Sequence, residues 1–463
     1  VQPKLALAAL ACLALFAQVG ASRAAPTDLS LPEARKMAVQ ASLQGQNALA
    51  VTLARALLKA DPQDPAALLA LATIRLATGD AAGAYRMGRL SFRNAQDQTA
   101  IHQAARVTAL SALAQNQTLR TRFWLRRAAD TAPDPLSRAR VMRNYKLLQE
   151  KSPWRLKFNL AISPSDNVNG GSDSAFNIID GVPIVGILSP SAQALPGIVV
   201  QASANLSYRL SHSATQQTWI TSALAVKQVR LDPGAQGAPL PAPFTTPLLT
   251  NGDLATTSAQ IGLSHMRSAP DSPLSQRYDL TFTQLWQGGA RAYFGVEAGT
   301  DLRLALTRTK AVSASLNVEH RDYTSGRKAQ IVTFGTGATF VLPNASRLRA
   351  EIQLRHSDGP IFTSRSASAQ INYALGKPIK SVQLSTSIGA SYVDYPTYAV
   401  GFISVPGGRQ DESLFAQIDA TFTAAQYAGF SPTLRLRHTV TDSNVSRFSG
   451  SETSLSVGFE SQF

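Results

Sequence analysis

From Trp154 to the end of the chain, apolar and polar residues take turns. Trp154, Leu156, Phe158, Leu160 and Ile162 interleave with Arg155, Lys157, Asn159 and Ala161. A period of two puts the two sets on opposite faces of an extended strand. Such segments recur at 154–163, 198–210, 215–229, 255–267, 276–287, 291–305, 310–321, 329–342, 346–356, 362–375, 380–393, 412–423, 431–440 and 451–463. Fourteen segments predict one large antiparallel sheet, and an even count lets a closed sheet start and end on the same side. Charge decides which face looks inward. In 346–356, Leu348, Ala350, Ile352 and Leu354 oppose Arg347, Arg349, Glu351, Gln353 and Arg355; in 431–440, Leu434 and Leu436 oppose Arg435 and Arg437. A charge on the lipid face of a barrel costs about 2–4 kcal/mol near the midplane, so the charged set belongs inside. The expectation is a 14-stranded antiparallel transmembrane β-barrel of the outer-membrane type, with counts of twelve or sixteen left open.

Connection lengths bear on the count independently. The long connections are 164–197, 230–254 and 394–411, which are the first, third and eleventh; short ones such as 211–214, 343–345 and 376–379 are even. Long outer loops and short periplasmic turns are the rule for such barrels. The last segment fits too. Leu455, Val457, Phe459 and Phe463 face one way, and Ser454, Ser456, Gly458, Glu460 and Gln462 the other. A glycine several residues ahead of a terminal aromatic resembles the signal read by the bacterial barrel-assembly machinery, here Gly458 with Phe459 and Phe463. Ser461 stands where that signal prefers an apolar residue. At the other end come Lys4, the apolar run Leu5 to Val19, and the small residues Gly20, Ala21, Ser22, Ala24 and Ala25. These read as a secretory signal over 1–25. The only cysteine, Cys12, falls in that run, so no disulfide or thiol chemistry is expected in the mature chain. No later stretch is long and apolar enough for a helical span.

Between the two lies a segment of another period. From Leu31 to Lys151 the chain is rich in Ala, Leu and Arg with helical spacing. Asp64 suits an N-cap, Pro65 a first helical position and Gly79 a stop; Leu68, Leu71 and Ala72 share the face between them. Asp80 suits the next cap, ahead of Ala84, Tyr85 and Gly88. The turn at Asp61-Pro62 recurs near Asn94 to Asp97 and at Pro133 to Pro135. That interval is close to the roughly 34-residue tetratricopeptide period, although the signature Trp and Tyr positions are mostly missing. About three helical pairs are expected in an all-α, tetratricopeptide-like solenoid over 26–152, ahead of an all-β domain over 153–463. Solenoids of this kind present a concave groove to peptides. A plain helical bundle is the other reading.

The chain carries 44 Lys and Arg against 29 Asp and Glu, a formal charge of +15. Residues 26–152 hold 18 against 9, and 153–463 hold 24 against 20. The basic excess therefore belongs to the helical segment. Behind a signal peptide its partners would be an acidic polypeptide or anionic lipid, not nucleic acid. Arg86, Arg89 and Arg93 fall on one helical face, and Arg120, Arg122, Arg126 and Arg127 surround Trp124. These are the candidate contacts for a partner protein; a solvated charged face, with Trp124 in the core, is the plainer reading. No catalytic, cofactor or metal site is expected. The histidines His102, His212, His265, His320, His356 and His438 lack zinc spacing. His438 with Ser446, or His320 with Asp322, could be recruited to a hydrolase reading, but either pairing is as easily chance. Gly335-Thr336-Gly337 lacks the helix a phosphate loop needs, and Asp166 to Gly170 has Val168 where a calcium loop needs Asp or Asn.

Pro153-Trp154 opening the barrel, with Asp166-Asn167-Val168-Asn169 just after its first strand, resembles the surface lipoprotein assembly modulator (Slam) family. In that family a tetratricopeptide-like periplasmic domain precedes a fourteen-stranded outer-membrane barrel. The resemblance implies export of a periplasmic client, a surface lipoprotein or a secreted haem- or metal-scavenging protein, engaged by the helical domain. It implies outer-membrane lipid and the barrel-assembly machinery as further partners, and no enzymatic activity. Pro153, Trp154, Asp166, Asn167 and Asn169 carry the motif, as client contacts or as an interfacial aromatic and turn formers. The rival readings are an outer-membrane porin or polysaccharide-export channel, and a receptor.

Overall fold

The structure is a computed structural model that describes residues 29–236, 248–359, 363–400, 403–425 and 430–461. The expected signal segment with Cys12, the stretch 237–247 and the terminal Phe463 lie outside the described residues. Two compact units follow one another, divided between Val141 and Met142.

The first unit is built from α1 (Leu31–Leu43), α2 (Asn47–Ala60), α3 (Pro65–Ala77), α4 (Ala81–Asn94), α5 (Gln98–Ala114) and α6 (Thr118–Asp130); α7 (Pro135–Lys151) runs across the division. Helices α3, α5 and α7 open on an acidic cap. Asp64 accepts from Ala66 N and Ala67 N, Asp97 from Ala100 N and Asp134 from Ser137 N. At α1, the Glu33 carboxylate accepts from the amide and hydroxyl of Ser30. Capping oxygens of this kind satisfy amides that the first turn leaves orphaned. Within each hairpin the turn needs one left-handed residue, supplied by Gly45, Gly79 and Asn116 at φ 76°, 89° and 57°. The core is mostly alanine. Ala38, Ala54, Ala67 and Ala70 are fully enclosed around Leu57, which lets helix axes approach closely. Gly88 goes further: a Cβ there would collide with the Thr108 hydroxyl of α5. Helix α3 is more enclosed than a one-sided stripe predicts, with Ala67, Leu68, Leu69, Ala70, Ala72 and Ile74 all buried, because it packs against α1, α2, α4 and α5.

The second unit is a closed barrel of fourteen antiparallel strands, joined in chain order. β1 (Trp154–Ser165) is followed by a small hairpin in the first connection, β2 (Phe176–Ile179) and β3 (Val182–Ile187). The wall continues with β4 (Gly197–His212), β5 (Gln216–Leu231), β6 (Thr256–Ser268), β7 (Leu274–Gln287), β8 (Ala290–Ala305) and β9 (Lys310–Tyr323). β10 (Lys328–Val341), β11 (Arg347–Asp358), β12 (Ser364–Ala374) and β13 (Val382–Tyr395) come next. A second hairpin, β14 (Ala399–Val400) with β15 (Ile403–Ser404), interrupts before β16 (Arg409–Phe422), β17 (Phe430–Ser443) and β18 (Gly450–Ser461). β18 pairs back onto β1. The expected strand count and antiparallel closure hold; the two hairpins inside long connections were not anticipated.

Burial in the barrel wall is inverted relative to a water-soluble fold. Ile261, Ile352, Ile388, Leu414, Val457 and Phe459 are 50–66% exposed on the outer face, while their polar neighbours in sequence face the lumen. Only hydrocarbon makes such a surface favourable, and closure leaves no strand edge unpaired in it. The wall is that of an outer-membrane β-barrel.

Two outcomes test this architecture. Ile352→Arg should cost about 2–4 kcal/mol of barrel stability and reduce the heat-resistant folded band on gels, whereas its neighbour Gln353→Arg, facing the lumen, should leave that band unchanged. The second concerns His102, which is 4% exposed and donates through Nδ1 to the Ala128 carbonyl at 2.7 Å. Burial pushes its pKa below the ordinary 6.5, against the pull of that hydrogen bond. The unfolded chain then takes up the proton first, so helical stability should fall as pH drops below about 6.5. Thermal melts followed at the helical signal should show this, and His102→Gln should flatten the dependence.

Candidate functional site

The helical unit holds a groove of about 1190 Å³ walled by α1, the start of α3 and the turn into α5. Its basic side chains are Arg35, Lys36 and Arg93; its amides include Gln40, Gln63, Gln96 and Gln103. The acidic groups beside them are already engaged. Asp64, with no exposed side-chain surface, accepts from Arg35 Nε at 2.6 Å while capping α3. That pair ties α1 to α3 and fixes one wall. Asp97 caps α5 and Asp61 accepts from Gln63 N. What the groove offers is therefore cations and side-chain amides. Of the arginines singled out by spacing, Arg93 alone lines it. The amides were missed because they are scattered in sequence and converge only when the odd helices stack side by side.

Arg86 and Arg89 are exposed on α4 outside the groove, and Arg120 is exposed on α6. Trp124 is only 7% exposed. It meets the rings of Tyr85, Phe92 and Phe123 edge-on at centroid separations of 6.4, 5.1 and 5.4 Å, and donates from Nε1 to the Tyr85 hydroxyl at 3.1 Å. It glues α4 to α6 and has no free face for a partner. Arg122 is buried, and Arg126 and Arg127 are half-buried. Arg127 lies over Phe92 and Phe123 at 5.4 and 5.2 Å, and Arg120 and Arg89 over Tyr85 at 5.6 and 5.9 Å. Arg89 and Arg120 are thus exposed yet lie over the aromatic core, while Arg86 is exposed on α4 with no such ring among the described residues.

In the barrel the lumen is lined with ion pairs laid along single strands. Arg277 with Asp279, Glu319 with Arg321, and Arg349 with Glu351 are each two residues apart, the spacing that puts neighbours on one face. Asp419 and Arg435 pair at 2.5 Å across β16 and β17. Between these groups Ser275, Ser313, Ser368, Gln370 and Thr439 help to line a chamber of about 970 Å³.

The motif residues lie at the two ends of β1. At its start, Trp154 faces outward, 44% exposed, with its ring 4.5 Å from that of Tyr208. Arg209 donates to the Glu150 and Lys151 carbonyls at 2.9 and 3.2 Å, and its own amide donates to the Pro153 carbonyl. It thereby caps the last turn of α7 with a cation, where the helix dipole favours one. Just beyond the other end of β1, Asp166 Oδ1 accepts from Thr453 N at 2.7 Å. Asn167 Nδ2 donates to the Ser451 and Gly171 carbonyls, and Asn169 Nδ2 to those of Gln193 and Ser191. Asp166 and Asn167 tie the first connection to β18, and Asn169 ties that connection to itself. The same end carries a small folded cap. Ile179, Val405 and Val445, from three odd connections, are 5%, 3% and 0% exposed and pack together. Arg409 is enclosed beside them, salt-bridged to Asp411 at 3.0 Å and stacked on Tyr395 and Phe448 at 3.8 and 3.6 Å. Nothing in the spacing of these loops announced the cap.

Gly458 sits opposite Ala161 in the β1–β18 pair, and a Cβ there would lie 2.7 Å from the Leu160 carbonyl. Phe459 is half-exposed on the outer face. His320 Nε2 lies 3.4 Å from Asp322, and His438 bonds the Thr453 hydroxyl rather than Ser446. Among the described residues no group of three or more His, Cys, Asp or Glu could hold a metal ion.

No family model matches the sequence, and no curated protein matches it. Among solved structures, the loop L8 deletion mutant of OmpT from Vibrio cholerae is 7% identical, with a TM-score of 0.35 over 67% of this chain and 99% of that one. A bacterial polysaccharide outer membrane secretin is 10% identical (TM-score 0.32, 65% and 98%), and CdiB from Acinetobacter baumannii 11% (0.35, 65% and 59%). At that distance the likeness is to outer-membrane barrels and extends no further.

Removing the aromatic hub should be costly. Trp124→Ala is expected to destabilise the helical unit by about 3–5 kcal/mol, read as a lower midpoint in denaturant followed by circular dichroism. Arg86→Ala, exposed on α4, should shift it by under about 0.5 kcal/mol.

Proposed function

We propose that this protein carries a partner polypeptide across the outer membrane, with the helical unit as its docking site on the periplasmic side. One observation supports the reading above others. Among the described residues the groove presents cations and amides that no other side chain engages, Lys36, Arg93, Gln63 and Gln96, while its carboxylates Asp97 and Asp61 accept from the amides of Ala100 and Gln63. Side-chain amides hydrogen-bond an extended backbone, and the cations favour acidic residues on it. The barrel on the same chain supplies a polar path through lipid. This is the role implied by the resemblance to the surface lipoprotein assembly modulators, whose clients are surface lipoproteins or secreted haem- and metal-scavenging proteins, and it needs no catalytic group. With no nucleotide in that compartment, folding of the client outside would bias the direction. The polar chamber in the lumen supports a second reading, a porin or polysaccharide-export channel that binds no protein.

The two readings separate in one experiment. The intact protein, purified from outer membranes, is used to capture envelope proteins, which are identified by mass spectrometry. Enrichment of one small secreted or lipidated protein, reduced at least about tenfold by Lys36→Glu with Arg93→Glu and retained by Arg86→Glu with Arg89→Glu, is the expected result. Loss with the second pair instead would move the docking face to the rim of α4. Capture of no protein, with steady conductance in planar bilayers, would favour the channel. Deleting 31–150 should stop export while the barrel still inserts.

A further inference from the structure

The strand pairs of this barrel are not equivalent. Between β1 and β18 the register has four residue pairs, Leu160 with Phe459, Ala161 with Gly458, Ile162 with Val457 and Ser165 with Ser454. Every other neighbouring pair has at least ten. Both strands are present along the missing stretch. β1 is paired with β4 from Trp154 onward, and β18 with β17 through Ser461. Among the described residues, however, neither Asn159 with Glu460 nor Phe158 with Ser461 is paired across the seam. Higher up the ladder skips Ser163 and Pro164, and proline has no N–H to give.

At the outer end the ladder is carried on by one long backbone bond, Asp166 N to Thr453 O at 3.4 Å, and side chains reinforce it. Asp166 accepts from Thr453 N at 2.7 Å, and Asp173 Oδ2 accepts from the amide and hydroxyl of Ser451 at 2.8 and 2.7 Å. Asn167 donates to Ser451 O at 3.1 Å, and the Ser165 hydroxyl to Glu452 at 2.8 Å. The fit is close: a Cβ on Gly450 would lie 2.6 Å from the Gly171 carbonyl. All of these bonds join the first connection, or the end of β1, to β18. A short ladder with a polar latch at one end can open without unzipping the wall.

We propose that the β1–β18 seam opens sideways, that Asp166, Asn167 and Asp173 latch it shut, and that the opening lets an acyl-bearing segment pass from lumen to bilayer. The last clause rests on the export reading with a lipid-modified client. A lumen of charged pairs and hydroxyls offers an acyl chain no apolar surface, and the outer exit leads to water, so a sideways path avoids both. The flanking outer faces, Leu156, Phe158 and Phe459, are already apolar and exposed.

Hydrogen exchange on the intact protein in lipid nanodiscs tests the seam without any client. Amides of 160–165 and 450–459 should exchange at least about tenfold faster than those of β11 and β12. Asp166→Ala with Asp173→Ala should speed them further, with unchanged heat-resistant gel mobility and no effect from Asp322→Ala elsewhere on the rim. Exchange as slow as in β11 and β12, or indifferent to the latch variants, overturns the gate. A second readout locks it. Ile162→Cys with Val457→Cys should abolish surface display of an acylated client when oxidised and restore it on reduction, while Ile352→Cys with Ala369→Cys, across β11 and β12, should do neither. Undiminished display by the oxidised seam overturns the sideways path. Should the wild type display no client at all, the export reading fails while the exchange result stands by itself.

Discussion

A strand in hydrocarbon has no water to satisfy its backbone, so a sheet there must close on itself or not exist. The rest of the second unit depends on that one requirement. It turns the apolar face outward and the charges inward, and makes the antiparallel meeting of β1 and β18 the step on which the wall depends. The cap adds to that meeting. The first, eleventh and thirteenth connections leave strands near the seam and converge through Ile179, Val405 and Val445. The fold thus concentrates its loop structure where its ladder is shortest.

The two units solve the problem of close packing with opposite chemistry. In the helical unit alanine and Gly88 bring axes together, and larger groups such as Trp124, packed on Tyr85 and Phe92, join α4 to α6. Several carboxylates there cap helix starts, and Asp64 and Asp80 pair with Arg35 and Arg75 as they do so, but the basic side chains outnumber the acidic ones two to one. In the barrel nearly every lumen carboxylate named above has a basic neighbour two positions along the same strand, so charge is balanced locally. The excess noted in the composition is therefore not a diffuse property of the chain. It belongs to the surface of the first unit and, within that, to the few cations that no cap or ring has claimed.

Much of the fold was legible in residue order because each unit obeys a simple period. Alternation located every wall strand to within a few residues, and loop parity agreed with the closed topology. Asp64, Pro65 and Gly79 marked a helix that forms as expected. The site was far less legible. Arg86, Arg89 and Arg93 share a helical face, yet only Arg93 reaches the groove, because side-by-side stacking of the odd helices, not the spacing within one helix, decides what lines it. Trp124 among arginines was open to reading as a contact or, more plainly, as core, and it packs as core. Asp173 escaped notice altogether, since a carboxylate that accepts from a strand about 280 residues away leaves no local signature. Local rules find elements; convergence of distant segments makes sites.

The bonds from the first connection to β18 have a consequence in time. Ser165 and Glu452 are separated by 287 residues, and β1 emerges long before β18 exists. The first wall strand can be sealed only by the last, so its free edge stays unsatisfied until the far end of the chain has been placed beside it. Closure is thus an event of very long contact order, slow by its topology and open to wrong pairing during the delay. A chain cut short anywhere before Gly450 would carry every lipid-facing residue of its earlier strands and no means of sealing them. The loop that grips β18 works as a check on completeness, since its partners belong to the strand that closes the wall.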